Sequence, residues 1–181
     1  MRMKRVVSTA ALLLCGLAAP SFASSLTYTA TLSGAAQVPA NASTGTGFVT
    51  YTLTGDLLTV DLTFTGLSAP AAAAHIHCCA AANANAAVVL PFAGFPGMTS
   101  GTYMNTFNLS TFAFGGGVSE AQLIAGLNDG MTYTNIHDAN YPGGEIRGQI
   151  APSAVPEPGS LVLLATGALG VAGAVRRRMA A

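Results

Sequence analysis

The chain has 181 residues, is 51% hydrophobic and only 8% charged, and its formal net charge is zero. Six of its seven basic residues, Arg2, Lys4, Arg5, Arg176, Arg177 and Arg178, sit at the two ends. Between them Arg147 faces Asp56, Asp61, Glu120, Asp129, Asp138 and Glu145, a net charge of −5 on a lysine-free domain. Such a domain has no basic face for phosphates, which excludes nucleic acid as a partner.

Residues 1–23 read as a secretory signal peptide: a basic start, an apolar run from Ala10 to Ala19, and a small-x-small ending at Ser21-Phe22-Ala23. The run is about half the roughly 20 residues a bilayer-spanning helix needs. Residues 24–152 then show period-two alternation almost throughout. Leu26–Leu32, Gly47–Leu53 and Leu57–Thr65 predict strands, the last two joined as a hairpin through Thr54-Gly55-Asp56. In the third, Val60, Leu62 and Phe64 share one face and Thr59, Asp61 and Thr63 the other, the pattern of a half-buried antiparallel strand.

Ala71–His77 follows, and its alanines would suit a helix by propensity alone. Strand is the preferred reading for His75–His77, because the segment matches a later histidine strand. Thr99–Leu109 predicts another strand, and Ser119 with Gln122 three residues on is a capping-box pattern that opens a short helix ending at Gly126. Met131–His137 and Glu145–Ile150, with Tyr141-Pro-Gly-Gly144 as the turn between them, close the domain. The expected fold is all-β, an antiparallel Greek-key-like sandwich or barrel of about seven to eight strands with one short helix.

Every histidine lies in this region. On a strand, His75 and His77 point to the same side about 6.6 Å apart, so both can reach one metal ion. His137 could supply a third nitrogen if its strand lies alongside, a set suited to copper or zinc. The plainer alternative is hydrogen bonding across strands. Cys78 and Cys79 leave three outcomes open: a vicinal disulfide, which ranks first, intermolecular pairing, or ligation of the same metal. Glu145 and Arg147, at i and i+2, are expected to form a structural ion pair.

The far end comprises a linker over residues 153–159 containing Pro156-Glu157-Pro158, an expected transmembrane helix over 160–175, and a basic cytoplasmic tail over 176–181 with Arg176-Arg177-Arg178. Its uncharged stretch Leu161–Val175 reaches about 23 Å at about 1.5 Å per residue, short of the roughly 30 Å hydrocarbon core. This order of tripeptide, short helix and arginines resembles the PEP-CTERM sorting signal of Gram-negative bacteria. The resemblance implies recognition by an exosortase, cleavage near Pro156–Pro158, an inner-membrane intermediate, and delivery to the cell surface or an exopolysaccharide matrix.

Two further resemblances fall on the middle. Gly34-Ala-Ala-Gln-Val-Pro39, Gly66-Leu67, Ala74-His-Ile-His77, Asn135-Ile-His137 and Tyr141-Pro-Gly-Gly-Glu-Ile-Arg-Gly-Gln149 together resemble the CHRD domain over about Leu26–Ile150. That family implies no particular reaction. The His-x-His strand, the later histidine and the closing glycine-arginine run are also similar to copper-zinc superoxide dismutase, an eight-stranded Greek-key barrel. That likeness would put His75, His77 and His137 on copper ligands and Arg147 near the anion-steering arginine. The bridging histidine and the histidine-rich zinc loop have no counterpart here. The expectation is therefore a non-enzymatic, surface-sorted binding or structural module of the envelope or exopolysaccharide matrix. The alternative is a copper- or zinc-binding, dismutase-like protein using His75, His77 and His137.

Overall fold

The computed structural model describes residues 25–153 and 160–180. The signal-peptide reading of residues 1–23 and the Pro156–Pro158 motif lie outside the described residues. Three strands, β1 (Ser25–Ser33), β2 (Thr46–Thr54) and β3 (Leu57–Thr65), pair antiparallel in sequence order. Gly55, at φ 57°, takes the first position of the two-residue β2–β3 loop, a conformation that glycine adopts without steric cost. The predicted alternation holds: Val60, Leu62 and Phe64 are at most 4% exposed. Each such side chain contributes about 1.5–3 kcal/mol by leaving water.

The remaining strands are β4 (Ala71–Cys78), β5 (Ala87–Pro91), β6 (Gly101–Asn108), β7 (Thr132–Asp138), β8 (Ile146–Gln149) and the short β9 (Ala151–Pro152). They join the first three in one antiparallel sheet with the order β5-β4-β7-β8-β1-β2-β3-β6, and β9 pairs with β1. This corrects the expected sandwich or barrel to a single curled half-barrel. Its edges, β5 and β6, share no ladder; aromatic packing joins them instead. Phe92, just after β5, stacks on Tyr103 of β6 at 5.1 Å, and the Tyr103 hydroxyl donates to the Ala93 carbonyl at 3.2 Å. Such aromatic pairs add about 0.5–1.5 kcal/mol beyond their burial.

The alanine run of β4 is strand, because Ala71, Ala74 and Ile76 face the core and β7 supplies their backbone partners. Tertiary pairing overrides helix propensity here. Helix α1 (Glu120–Asn128) carries the expected capping box at Ser119 and Gln122, and buries Leu123 and Leu127. It runs past Gly126, which was expected to stop it. A Cβ at Gly126 would meet Cys78 Sγ at 2.8 Å, so glycine serves there as a packing residue.

The C-terminal helix α2 (Ser160–Met179) differs from the expected membrane span over 160–175. It continues through Arg176–Arg178, and no helix among the described residues is long and apolar enough to cross a membrane. The uncharged part is too short, and the arginines that follow are helical themselves.

Candidate metal centre

The pairing of β4, β7 and β8 decides what meets on the outer face of the half-barrel. Ala73 lies opposite His137, His75 opposite Asn135, and His77 opposite Tyr133. On the other side of β7, Asn135 faces Arg147 and Tyr133 faces Gln149. Directly opposed residues point to the same side, so one polar face holds His75, His77, His137, Tyr133, Asn135, Arg147 and Gln149. The intervening residues, Ile76, Ile136 and Ile146, are fully buried on the core side.

The three imidazoles converge. Each offers a ring nitrogen, and these nitrogens lie within 4.8 Å of one another. His75 is 5.1 Å from His137 and 5.7 Å from His77 between ring centroids. His77 Nδ1 is 3.0 Å from the Ala86 carbonyl, and His137 Nδ1 is 2.9 Å from the Pro142 carbonyl. A carbonyl only accepts, so in both neutral rings the proton sits on Nδ1 and Nε2 keeps its lone pair. Those two Nε2 atoms and Nδ1 of His75 are buried without any hydrogen-bond partner.

Electrostatics favour the neutral form of His75 and His77. Burial, then the neighbouring His137 and His77, pushes His75 down to about 4. Burial likewise lowers His77, with the Ala86 carbonyl opposing the shift and His137 and Arg147 adding to it. A metal takes neutral imidazole, so the set is chemically ready for one. Around an ion bound at about 2.0–2.1 Å, ligand nitrogens stand roughly 3.3–3.5 Å apart, so closing on copper or zinc from separations of up to 4.8 Å needs a contraction of at most about 1.5 Å.

The other predicted site residues do not join this cluster. Cys78 and Cys79 are bonded to each other as a vicinal disulfide, and the converging group holds only the three histidines. The expected Glu145–Arg147 ion pair is corrected. Glu145 precedes β8, and its Oε1 accepts from the Ser43 hydroxyl at 2.6 Å and the Ser68 amide at 2.8 Å. Arg147 is 1% exposed, stacks 3.5 Å over the Tyr133 ring and donates to Asn85 and Ala84 instead. The sequence reading missed Tyr133, whose ring stacks on His77 at 4.5 Å and 6°. Period-two spacing from His137 through Asn135 would have placed it on this face. Nothing in the sequence signals the two carbonyls, because any residue carries one.

Fold and site together define a half-barrel β domain with a three-histidine outer face. The chain belongs to the CHRD domain family, whose family model matches residues 28–150. A second family model, the PEP-CTERM protein-sorting motif, matches residues 154–178 and marks the chain as an exported, surface-sorted protein and exosortase substrate. No curated protein and no solved structure matches the chain.

Proposed function

We propose that this domain, once sorted to the surface, is a non-enzymatic module that holds one copper or zinc ion through His75 Nδ1, His77 Nε2 and His137 Nε2. The observation that carries this reading is the convergence of three imidazoles whose His75 Nδ1, His77 Nε2 and His137 Nε2 atoms are buried and unpartnered. An unsatisfied buried polar atom costs about 1–3 kcal/mol, and three at one point are better explained by a shared ligand than by three separate losses. Before processing, the exosortase would meet the chain at the inner membrane, where α2 holds it only with local bilayer thinning or snorkelling arginines.

A second reading, binding to exopolysaccharide, is supported by an uncharged cleft of about 400 Å³ between Val38–Asn41 and Asn140–Gly144. Asparagine amides and the Tyr141 ring line it, groups that suit sugar hydroxyls and sugar faces. The test of the first reading is elemental analysis and titration with copper and zinc on the untagged mature protein, beside a His75→Ala/His77→Ala variant. One equivalent of metal, absent from the variant, supports it. No metal in either protein overturns it, and a pull-down on the cell's own exopolysaccharide then tests the second.

A further inference from the structure

Arg147 is buried and charged, and among the described residues no carboxylate pairs with it. Its guanidinium instead donates to neutral acceptors: Asn85 Oδ1 at 3.0 Å, the Ala84 carbonyl at 2.9 Å, the Ala82 carbonyl at 3.4 Å and Gln149 Oε1 at 3.3 Å. Three of the four belong to the segment between β4 and β5. A buried charge without a counter-charge is costly, and an apolar residue would often serve stability better. What the arginine does for that segment therefore matters.

The segment's other ties are few: Asn85 Nδ2 donates to the Val38 carbonyl at 2.9 Å, and at its start the Ala80 amide donates to the Met131 carbonyl at 2.8 Å while the Ala80 carbonyl accepts from Gln149 Nε2 at 3.0 Å. Ala81, Ala82, Asn83, Ala84 and Asn85 are all exposed, so no apolar side chain anchors them in the core. The next residue, Ala86, accepts from Nδ1 of His77. Tyr133 closes the circle: its hydroxyl accepts from the Ala86 amide at 3.1 Å and reaches the Ala86 carbonyl at 3.3 Å. The same Tyr133 ring carries the guanidinium and the His77 imidazole. Because β7 lies between β4 and β8, His77 approaches that ring from one side and Arg147 from the other.

We propose that Arg147 is a positioning residue for the histidine cluster: it fixes the Ala82–Ala86 segment and the Tyr133 ring so that the Ala86 carbonyl holds the proton of His77 on Nδ1 and leaves Nε2 free. This rests on the metal-binding reading for its purpose, but its geometry concerns His77 alone. The arginine acts through another residue, as outer-shell partners of metal-ligating histidines do.

The test uses the full mature protein and two variants, Arg147→Lys, which keeps the charge but not the planar fork, and Tyr133→Phe, which keeps the stack but not the contacts to Ala86. Long-range proton–nitrogen NMR of the histidine side chains, without metal, reads which nitrogen of His77 is protonated. Wild type is expected to show His77 with the proton on Nδ1 throughout. Both variants should shift it to a mixture of tautomers while His75 stays unchanged, and copper affinity should fall about 10- to 100-fold. An unchanged His77 tautomer in both folded variants overturns the proposal. If Arg147→Lys fails to fold, Tyr133→Phe decides alone. If wild type takes up no metal but the tautomer still shifts, the positioning role stands and the metal reading falls.

Discussion

Nδ1 of His137 donates to the carbonyl of Pro142 at 2.9 Å, which ties a candidate metal ligand to the turn between β7 and β8. The turn closes through the Gly144 amide, 2.9 Å from the Tyr141 carbonyl, with Gly144 at φ 120°. A Cβ there would lie 2.3 Å from Asn135 Oδ1 and 2.6 Å from Gln37 Nε2, atoms that are themselves hydrogen-bonded on the site face. Gly144→Ala should therefore destabilise the domain by about 2–4 kcal/mol, combining backbone strain with overpacking. It should also weaken metal binding by moving Pro142. Gly143→Ala, with nothing within 4 Å of its Cβ, is the control and should leave both unchanged. Denaturant unfolding and copper titration read the two effects separately.

How much of this was legible in the sequence depends on what each residue's role rests on. Side-chain alternation specifies a strand's faces, so Val60, Leu62 and Phe64, and the shared side of His75 and His77, follow from spacing. Sheet closure does not: the β5 and β6 edges meet through Phe92 and Tyr103, a contact between segments that no local pattern links. The Glu145–Arg147 pairing failed for a local reason. It required both residues in one strand, whereas Glu145 belongs to the turn, with its amide donating to Ile136 at 2.7 Å. Gly126 misled because a glycine in a helical pattern signals an end, while here it admits the sulfurs of Cys78 and Cys79.

Acid should destabilise the metal-free protein across a definite window. Unfolded, His75 takes up a proton near its ordinary value of 6.5; folded, it resists until about 4. Between those values the unfolded chain binds more protons, so stability falls as pH drops through the window and levels off below it. His77, also lowered, adds in the same direction. The melting temperature of the apo protein at pH 7 should exceed that at pH 4.5, and His75→Gln should flatten the slope. An equal slope in wild type and variant would remove His75 as its source.

Glu145, set against Asp138, works with the opposite sign. Glu145 is fully buried, and burial followed by the adjacent Asp138 pushes its carboxyl up. Burial also opposes the charge on Asp138, but contact with Glu145 and hydrogen bonds from Ser68, Tyr141 and Ala69 outweigh it and hold that carboxyl low. Glu145 Oε2 is buried with no donor to it, which favours a proton on this residue. A raised carboxyl contributes stability below its unfolded value of 4.5 and loses it as pH rises through the folded value. Glu145→Gln imitates the protonated form and keeps an oxygen for Ser43 and Ser68. It should raise the melting temperature at pH 8 and have little effect near pH 4. A uniform loss at both would show that Glu145 is needed as a carboxylate.

Gly126 offers a test of how α1 is fitted to the strand that carries His77. In a helix interior, glycine to alanine ordinarily gains about 1 kcal/mol of propensity. Here the added Cβ would stand 2.8 Å from Cys78 Sγ, 3.1 Å from Cys79 Sγ and 3.1 Å from Thr132 Cγ2. Overpacking of that kind costs about 1–3 kcal/mol, so Gly126→Ala should be neutral to destabilising by about 2 kcal/mol overall. Removing the sulfurs with Cys78→Ala/Cys79→Ala clears two of the three contacts. In that background the same Gly126→Ala change should recover part or all of the propensity gain, and the difference between the two unfolding free energies is the coupling between helix and disulfide. Equal effects in both backgrounds would place the crowding at Thr132 instead, making β7 rather than β4 the strand that Gly126 accommodates.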